Sequence, residues 1–237
     1  GEHGKLQSGI GVHDSSASLV PYIKASSEPF VLVSTGTWCI NMNPFNEEPL
    51  TAEQLKKDCL AFLSIQKKPV KSSRLFMGRI HDVNVKYLSE LFAVSDSAYK
   101  QVRPDKEMIR SLWQKDPGKR MFFLTGIPDD YLDRSVGREN FTSFEEAYHR
   151  FMMDLAELIK ESVLLVISKE DNTKHLYISG GFSKNPSFLL LMASIFSRKR
   201  VYTSEIANAS ALGAAMVLWK GIDPAFNTEF DLGLKYI

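Results

Sequence analysis

The sequence predicts an α/β fold, in which helices pack on the faces of a sheet of buried strands. From Ser143 onward, helical and strand patterns alternate along the chain, as they do in α/β domains. The strand patterns are short and apolar throughout, which is typical of strands covered on both faces. The chain has 237 residues, of which 44% are hydrophobic and 24% are charged, so it can bury a sizeable core.

The first forty residues predict a strand, a helix and a hairpin. Residues 8–13 read as a short glycine-rich strand, and residues 14–16 offer capping side chains for a helix that Pro21 limits or kinks. Residues 29–34 form the clearest strand pattern, and a second apolar run covers residues 39–42. The two runs predict a hairpin that turns on the glycine between them.

The middle of the chain has no sustained hydrophobic periodicity, because Pro, Gly, Asn and Asp repeatedly interrupt its short patterns. We expect three helices here, Ala52–Cys59, Val83–Phe92 and Lys106–Gln114, and a strand at Met121–Thr125. The lack of periodicity predicts that residues 43–140 are an irregular subregion inserted into a simpler domain.

Regular patterns return in the last hundred residues. Apolar residues at spacings of three and four predict one long helix from Ser143 to Ser168. The elements predicted after it are the strand His175–Ser179, the helix Pro186–Phe196, the strand Arg200–Thr203 and the helix Ala209–Trp219. Gly213 lies within the last helix, where glycine costs about 1 kcal/mol relative to alanine, so we expect a close packing contact there.

Charge and composition exclude several classes of function. The net charge is +1 with both signs scattered, which argues against nucleic acid or an anionic membrane as the partner and favours a small molecule. No apolar run is long enough to span a bilayer, and the N-terminus lacks a secretory signal, so the prediction is cytoplasmic. Cys39 and Cys59 have no metal or disulfide spacing and are predicted to be buried thiols. The histidines share no metal-ligand spacing, so no metal site is predicted.

Three stretches contain residues suited to chemistry. Residues 177–186 run from an apolar strand through the pair Gly180 and Gly181 into a helix, which exposes backbone N–H groups to an anion such as phosphate. Residues 34–37 place hydroxyl groups and a glycine at a strand end, where they suit phosphate as well. Both stretches are also compatible with ordinary tight turns. Asp14 follows a predicted strand and opens a helix, so it is either a helix N-cap or a proton acceptor, and the two roles are not exclusive.

Four segments, taken in order, resemble the C-terminal half of the FGGY family of carbohydrate kinases. They are Gly11-Val12-His13-Asp14-Ser15-Ser16-Ala17-Ser18, Ser34-Thr35-Gly36-Thr37-Trp38, Gly180-Gly181-Phe182-Ser183-Lys184-Asn185 and Ala211-Leu212-Gly213-Ala214-Ala215. The His-Asp and Gly-Thr-Trp pairings are most similar to the branch that contains L-rhamnulose and L-fuculose kinases.

The resemblance implies an actin-like, ribonuclease H-like ATPase domain with a mixed sheet flanked by helices. It implies ATP-dependent phosphorylation of a sugar hydroxyl, in a ketose such as a pentulose or a 6-deoxyhexulose. Asp14 would be the catalytic base and His13 would bind the substrate. The implied nucleotide-binding residues are Gly36 and Thr37 near the ATP phosphates, Gly180 and Gly181 beside the nucleotide, and Asn185 near the adenine.

The sequence also departs from the family pattern. Kinases of this family are longer, and their N-terminal domain contains a phosphate loop, most of the sugar pocket and acidic groups for Mg²⁺. We therefore expect residues 1–237 to be a C-terminal, nucleotide-binding domain that is inactive without its partner domain, with the Mg²⁺ ligands on that domain. The helix segment Ala147–Asp154 lacks the family's usual Glu-Gly pair. The sequence determines neither which sugar is phosphorylated nor whether the protein forms a homodimer.

Two alternatives remain at the level of the sequence. The first is a non-catalytic actin-like module that binds a nucleotide as a structural or regulatory ligand, although such a module has no need for Asp14. The second is an α/β domain whose glycine turns are purely structural.

Overall fold

A seven-stranded mixed sheet forms the centre of the protein. The computed structural model describes residues 11–204, 206, 208–222 and 231–237. The strands are β1 (Phe30–Thr35), β2 (Cys39–Asn43), β3 (Cys59–Leu63), β4 (Pro69–Leu75), β5 (His175–Gly180), β6 (Arg200–Ser204) and β7 (Leu234–Tyr236). Their order in the sheet is β3-β4-β2-β1-β5-β6-β7. The pairs β1–β5 and β5–β6 are parallel and the others are antiparallel.

Helices cover both faces of this sheet. They are α1 (Asp14–Ala25), α2 (Ala52–Lys56), α3 (Met77–Phe92), α4 (Lys106–Lys115), α5 (Phe144–Leu164), α6 (Pro186–Ile195) and α7 (Ala209–Ile222). Alternate residues of β1 face opposite layers: Leu32 packs with Tyr22 of α1, whereas Val33 packs in the core that includes Phe151 of α5. Both faces of the strand are therefore buried, and the predicted α/β architecture is confirmed.

The helices α1 and α7 approach each other very closely. A Cβ atom added to Gly213 would lie 1.7 Å from the backbone oxygen of Ala17, so only glycine fits there. The close contact that the sequence predicts at this glycine is confirmed.

Most elements outside the middle of the chain are where the sequence predicts them. The hairpin β1–β2 turns at Gly36, with Thr35 paired to Cys39. The long helix α5 ends at Leu164, four residues before the predicted end at Ser168. The predicted strand at residues 8–13 lies partly outside the described residues, and residues 11–13 are not a strand. Cys39 and Cys59 are buried free thiols, as predicted, and burial raises the pKa of Cys39 to about 12.

The middle of the chain differs from the prediction in several places. Helix α2 ends at Lys56, so Cys59 of the predicted helix lies in β3, and α3 begins at Met77, six residues before the predicted start at Val83. The predicted strand Met121–Thr125 is wrong, since these residues form turns. The amide N–H groups of Met121 and Phe122 donate to the Asp154 carboxylate instead of to a neighbouring strand. In addition, β3 and β4 are two strands of the central sheet that the pattern did not predict. An inserted subregion over residues 43–140 stays a proposal, and within that range these two strands belong to the central sheet.

Candidate functional site

The turn of the β1–β2 hairpin is fixed by the start of α3. The N–H group of Gly78 donates to the Thr37 backbone oxygen at 3.0 Å. A Cβ atom at Gly78 would lie 2.7 Å from the Gly36 oxygen and 2.8 Å from the Thr37 Cα atom. The indole of Trp38 stacks on Phe76, with ring centroids 4.4 Å apart. The turn can approach α3 this closely because residue 78 has no side chain.

The glycine pair at the end of β5 has two distinct parts. Gly180 has φ of +86°, and a Cβ atom there would lie 1.7 Å from the Thr35 backbone oxygen. The Thr35 hydroxyl donates to the Ser179 oxygen at 2.5 Å and accepts from the Phe182 N–H at 3.1 Å. A Cβ atom at Gly181 would meet nothing within 4 Å. Gly180 therefore joins two strand ends, whereas Gly181 faces open space.

Asp14 is the first residue of α1, and its side chain is 79% exposed. The N-cap of the helix is His13, which makes no side-chain capping bond, so the N-cap interpretation of Asp14 is wrong. Its Oδ1 atom accepts from the Ser15 N–H at 2.7 Å and lies 3.2 Å from His13 Nδ1. Among the described residues Oδ2 makes no hydrogen bond, which leaves it available as a proton acceptor.

Asn185 uses both ends of its side chain within the protein. Its oxygen accepts from the Phe188 N–H at 3.1 Å and so caps α6. Its nitrogen donates to the Tyr148 hydroxyl at 2.9 Å. Burial raises the pKa of Tyr148 to about 12, so this hydroxyl stays protonated at neutral pH. The amide of Asn185 thus helps to build the site through one hydrogen bond at its nitrogen and one at its oxygen, which leaves a second N–H group available.

Two cavities meet at the hairpin turn. The first, which we call the Asp14 cavity, has a volume of about 450 Å³ and is lined by His13, Asp14, Gly36, Thr37 and Arg74 with several serine and threonine hydroxyls. The second, the Asn185 cavity, has a volume of about 560 Å³ and is lined by Gly36, Thr37, Lys100, Gly181, Lys184 and Asn185 among others. Both volumes are in the range of small-molecule sites. Gly36 and Thr37 are the wall that the two cavities share, whereas Gly180 lines neither.

The predicted site residues therefore divide into three groups, apart from Gly180, which lines neither cavity. His13 and Asp14 lie in the Asp14 cavity, Gly181 and Asn185 lie in the Asn185 cavity, and the turn between them is common to both. Their functional roles stay predictions.

Sequence reasoning missed several residues that line the cavities, because they come from the irregular middle of the chain. They are Arg74 in the Asp14 cavity, and Gly78, His81, Asp82, Tyr99 and Lys100 in the Asn185 cavity. Burial lowers the pKa of His81 below its ordinary value of 6.5, which favours a neutral ring. The local feature that could have indicated this region is Gly78, whose N–H group bonds to the turn and whose missing side chain allows the contact.

Neither a metal cluster nor a membrane span is found in the part of the chain that the structure describes. No group of three or more His, Cys, Asp or Glu side chains there could hold a metal ion. Within the same residues, each helix is either too short or too polar to cross a membrane.

Residues 27–117 match the family model of the carbohydrate kinase FGGY C-terminal domain. No curated protein matches the chain significantly. Among solved structures, a carbohydrate kinase from Novosphingobium aromaticivorans is similar over 96% of this chain and 46% of its own, with 21% identity and a TM-score of 0.63. The xylulose kinase from Bifidobacterium adolescentis is similar over 94% of this chain and 43% of its own, with 17% identity and a TM-score of 0.59. A gluconate kinase from Lactobacillus acidophilus is similar over 93% of this chain and 44% of its own, with 12% identity and a TM-score of 0.59.

These similarities show the fold, and the α/β fold class that the resemblance implies, a mixed sheet flanked by helices, is confirmed. The chain spans less than half the length of the kinases it matches. The L-rhamnulose and L-fuculose branch stays a prediction. The predicted resemblance itself is confirmed over residues 27–117, which match the C-terminal domain of the FGGY carbohydrate kinases.

Proposed function

We propose that this chain supplies the nucleotide site and the catalytic base of an ATP-dependent sugar kinase. The observation that carries the proposal is the shared wall: Gly36 and Thr37 line both the cavity of Asp14 and the cavity of Asn185. A phosphoryl group that passes from a nucleotide in one cavity to an acceptor in the other must cross this turn. Transfer of this kind depends mainly on positioning and on charge stabilisation, which one rigid turn can provide.

The turn has donors for phosphate oxygens. Among the described residues, the backbone N–H groups of Gly36 and Thr37 make no hydrogen bond to a protein acceptor. The Arg74 guanidinium lines the adjacent cavity. Its Nε atom pairs with Asp58 at 2.9 Å, and its Cζ atom lies 5.2 Å from the Trp38 ring centroid. A guanidinium fixed in this way suits phosphate oxygens, since its remaining N–H groups form a planar fork.

Asp14 is the proton acceptor in this proposal. A general base must lie within hydrogen-bond reach of the hydroxyl whose proton it takes. The exposed Oδ2 atom meets this requirement for an acceptor sugar in the Asp14 cavity, while Oδ1 is oriented by the Ser15 N–H group at 2.7 Å. His13 lies beside the carboxylate, 3.2 Å from Oδ1, where it can contact the same substrate.

The Asn185 cavity is the nucleoside site in this proposal. Lys100 and Lys184 line it and can neutralise phosphate charge. The partly exposed Tyr99 offers a ring surface and packs on the buried His81, with ring centroids 5.0 Å apart. Gly181 lets a ligand approach the backbone, since there is nothing within 4 Å of the position of its absent side chain.

The described residues do not fit Mg²⁺, which an ATP-dependent kinase is expected to use. They include no cluster of three acidic, histidine or cysteine side chains, so no step of the mechanism is assigned to a metal on this chain. We propose instead that the ion is held by ATP and by an N-terminal domain of the kind that the longer kinases of the family contain. The isolated chain would then be inactive. We also propose that the whole protein acts in the cytoplasm.

The sugar is proposed to be a ketose, such as a pentulose or a 6-deoxyhexulose. This part of the proposal rests on the resemblance of the His-Asp and Gly-Thr-Trp pairings to the L-rhamnulose and L-fuculose kinase branch. A panel of ketoses and aldoses with the whole protein and ATP tests it directly.

The variant Asp14→Asn tests the proposed base. In the whole protein we expect ATP binding to be retained in calorimetry, while the rate of ketose phosphorylation falls by about 10²- to 10⁴-fold, the usual contribution of a general base. Asp96→Asn is the matched control, because Asp96 is exposed and lines neither cavity, and it should keep full activity.

Two outcomes would redirect the proposal. Near-normal phosphorylation by Asp14→Asn would remove this residue from the mechanism. Binding of ATP without phosphorylation of any sugar, in the unmodified whole protein, would favour the non-catalytic nucleotide-binding module instead.

A further inference from the structure

A third cavity, of about 660 Å³, lies between α4, α5, α6 and the loop at residues 118–120. We call it the α4–α6 groove. It shares no lining residue with the Asp14 or Asn185 cavity. Helix α4 contributes Lys106, Ile109, Arg110 and Trp113, whose spacing of three and four residues places them on one face of the helix. The groove is thus formed by continuous helix faces and is separate from the proposed kinase site.

Positive charge is concentrated in this groove. Its lining contains six cationic side chains and two carboxylates, namely Lys106, Arg110, Lys119, Arg120, Arg150, Lys160, Asp154 and Glu157. The chain as a whole has a net charge of only +1, so the excess is local. A cavity lined by one sign of charge attracts ligands of the opposite sign.

Half of these cations are already paired, and half are not. Arg150 pairs with Asp154 at 3.2 Å, Lys160 with Glu157 at 2.9 Å, and Arg120 with Glu161 at 3.4 Å. In the part of the chain that the structure describes, Lys106, Arg110 and Lys119 form no ion pair. These three side chains are free to bind an anion.

The floor of the groove is rigid and electrically balanced. The side chains of Arg150 and Asp154 are 3% and 4% exposed. Asp154 also accepts the N–H groups of Met121 and Phe122 at 2.7 and 2.8 Å, and Arg150 donates to the Lys119 backbone oxygen. The pair cannot easily turn toward a ligand, so the unpaired cations around it must supply the charge.

The groove also has an apolar wall with an aromatic ring. Trp113 is 49% exposed, although a tryptophan on an amphipathic helix usually packs in the core. The rest of the wall is Ile109, Met153, Leu190, Leu191 and Ile195. An accessible indole next to unpaired cations suits a ligand that has both a flat apolar part and an anionic part.

We infer that the α4–α6 groove binds a small phosphate ester with an aromatic body. Trp113 and the aliphatic wall contact the ring, and Lys106, Arg110 and Lys119 bind the phosphate group. The volume of the groove is in the range of small-molecule sites. This site lies outside the proposed kinase cleft, and it does not depend on the kinase assignment.

A titration with 1-naphthyl phosphate tests this inference on the 237-residue chain. We expect saturable binding in calorimetry and a change of tryptophan fluorescence that disappears in Trp113→Phe. The neutral 1-naphthol and inorganic phosphate should each bind at least about tenfold more weakly, because each makes only one of the two sets of contacts. Equal binding of either fragment would overturn the two-part site.

A pair of charge-matched double variants locates the site. Lys106→Gln with Arg110→Gln should weaken binding by about tenfold or more, since both charge-assisted contacts are lost. Lys56→Gln with Lys57→Gln removes the same charge from the exposed end of α2, which lines none of the three cavities, and should leave the affinity unchanged. All four side chains are exposed, and circular dichroism checks the fold. Unchanged affinity in the first variant, or an equal loss in the second, would overturn the inference.

Discussion

Replacement of Gly180 by alanine should destabilise the fold rather than act on the ligand site alone. The residue has φ of +86°, and its added Cβ atom would lie 1.7 Å from the Thr35 backbone oxygen. A non-glycine residue in such a conformation costs about 1–3 kcal/mol. Relief of the overlap requires β1 and β5 to move apart where Thr35 pairs with Gly180, and overpacking of this kind costs about 1–3 kcal/mol more.

The adjacent Gly181→Ala is the matched comparison. Its Cβ atom would meet no protein atom within 4 Å, so the fold should keep its stability or gain slightly from a less flexible unfolded chain. The added methyl group would instead occupy the Asn185 cavity. If the proposed nucleotide site is correct, ATP affinity should fall roughly fivefold or more, because even about 1 kcal/mol of steric conflict has that effect.

Thermal unfolding and ATP titration of both variants separate the two effects. For a chain of this size, 2–6 kcal/mol corresponds to a fall in Tm of at least about 5 °C, which we expect for Gly180→Ala and not for Gly181→Ala. An unchanged Tm in Gly180→Ala would refute the steric reasoning. Unchanged ATP affinity in Gly181→Ala would remove that glycine from the nucleotide site and leave the fold argument intact.

Three further predictions concern buried groups. Burial lowers the pKa of His81 below 6.5, so the contribution of this residue to stability is present above pH 6.5 and is lost as the pH falls further. Denaturant unfolding from pH 7.5 to 5 should show the loss, and His81→Gln should make the loss smaller. Asp154→Asn leaves the buried Arg150 without its charged partner and should cost about 3 kcal/mol in urea unfolding. Gly213→Ala should lower the Tm by several degrees, because the new Cβ atom would overlap the Ala17 oxygen.

Each of these predictions has a control and a contrary outcome. Glu157→Gln breaks only a partly exposed pair with Lys160 and should cost less than about 1 kcal/mol; an equal cost in Asp154→Asn would contradict the role of burial. Ala211→Gly changes the same helix as Gly213→Ala at an exposed position, so only the propensity cost of about 1 kcal/mol is expected. A pH dependence that is identical with and without His81 would rule out its titration as the cause.

The sequence predicted elements correctly where their local residue pattern agrees with their burial in the fold. The strand β1, the helix α5 and the glycine pair all have patterns that their surroundings reinforce, since β1 is apolar on both faces and α5 has an apolar stripe. Strand β4 was missed for the opposite reason. Its Lys71 and Ser73 are buried polar residues, and Ser73 donates to the Ser162 backbone oxygen at 2.6 Å. Polar residues of this kind are typical of exposed segments, so the pattern did not predict a buried strand.

The candidate site was predicted in part, for a related reason. The turn at Gly36 and the glycine pair at the end of β5 are local features, so their sequence shows them directly. The cations and rings that complete the cavities, such as Arg74 and His81, lie in the irregular middle of the chain. They reach the site only because β4 pairs with β2 and the next helix, α3, begins beside the hairpin turn. Contacts between segments distant in sequence leave no periodic pattern.

The hairpin is held from two sides by backbone contacts that allow almost no side chain. Gly180 meets it at Thr35, and Gly78 meets it at Gly36 and Thr37. Thr35 adds a third link, since its hydroxyl bonds to both Ser179 and Phe182. A turn fixed in this way can hold a phosphate group without first being ordered, which is the arrangement that phosphoryl transfer requires. Closure of the proposed active site is therefore expected from movement between this chain and the proposed N-terminal domain rather than from the turn, which is anchored at Thr35 and Thr37.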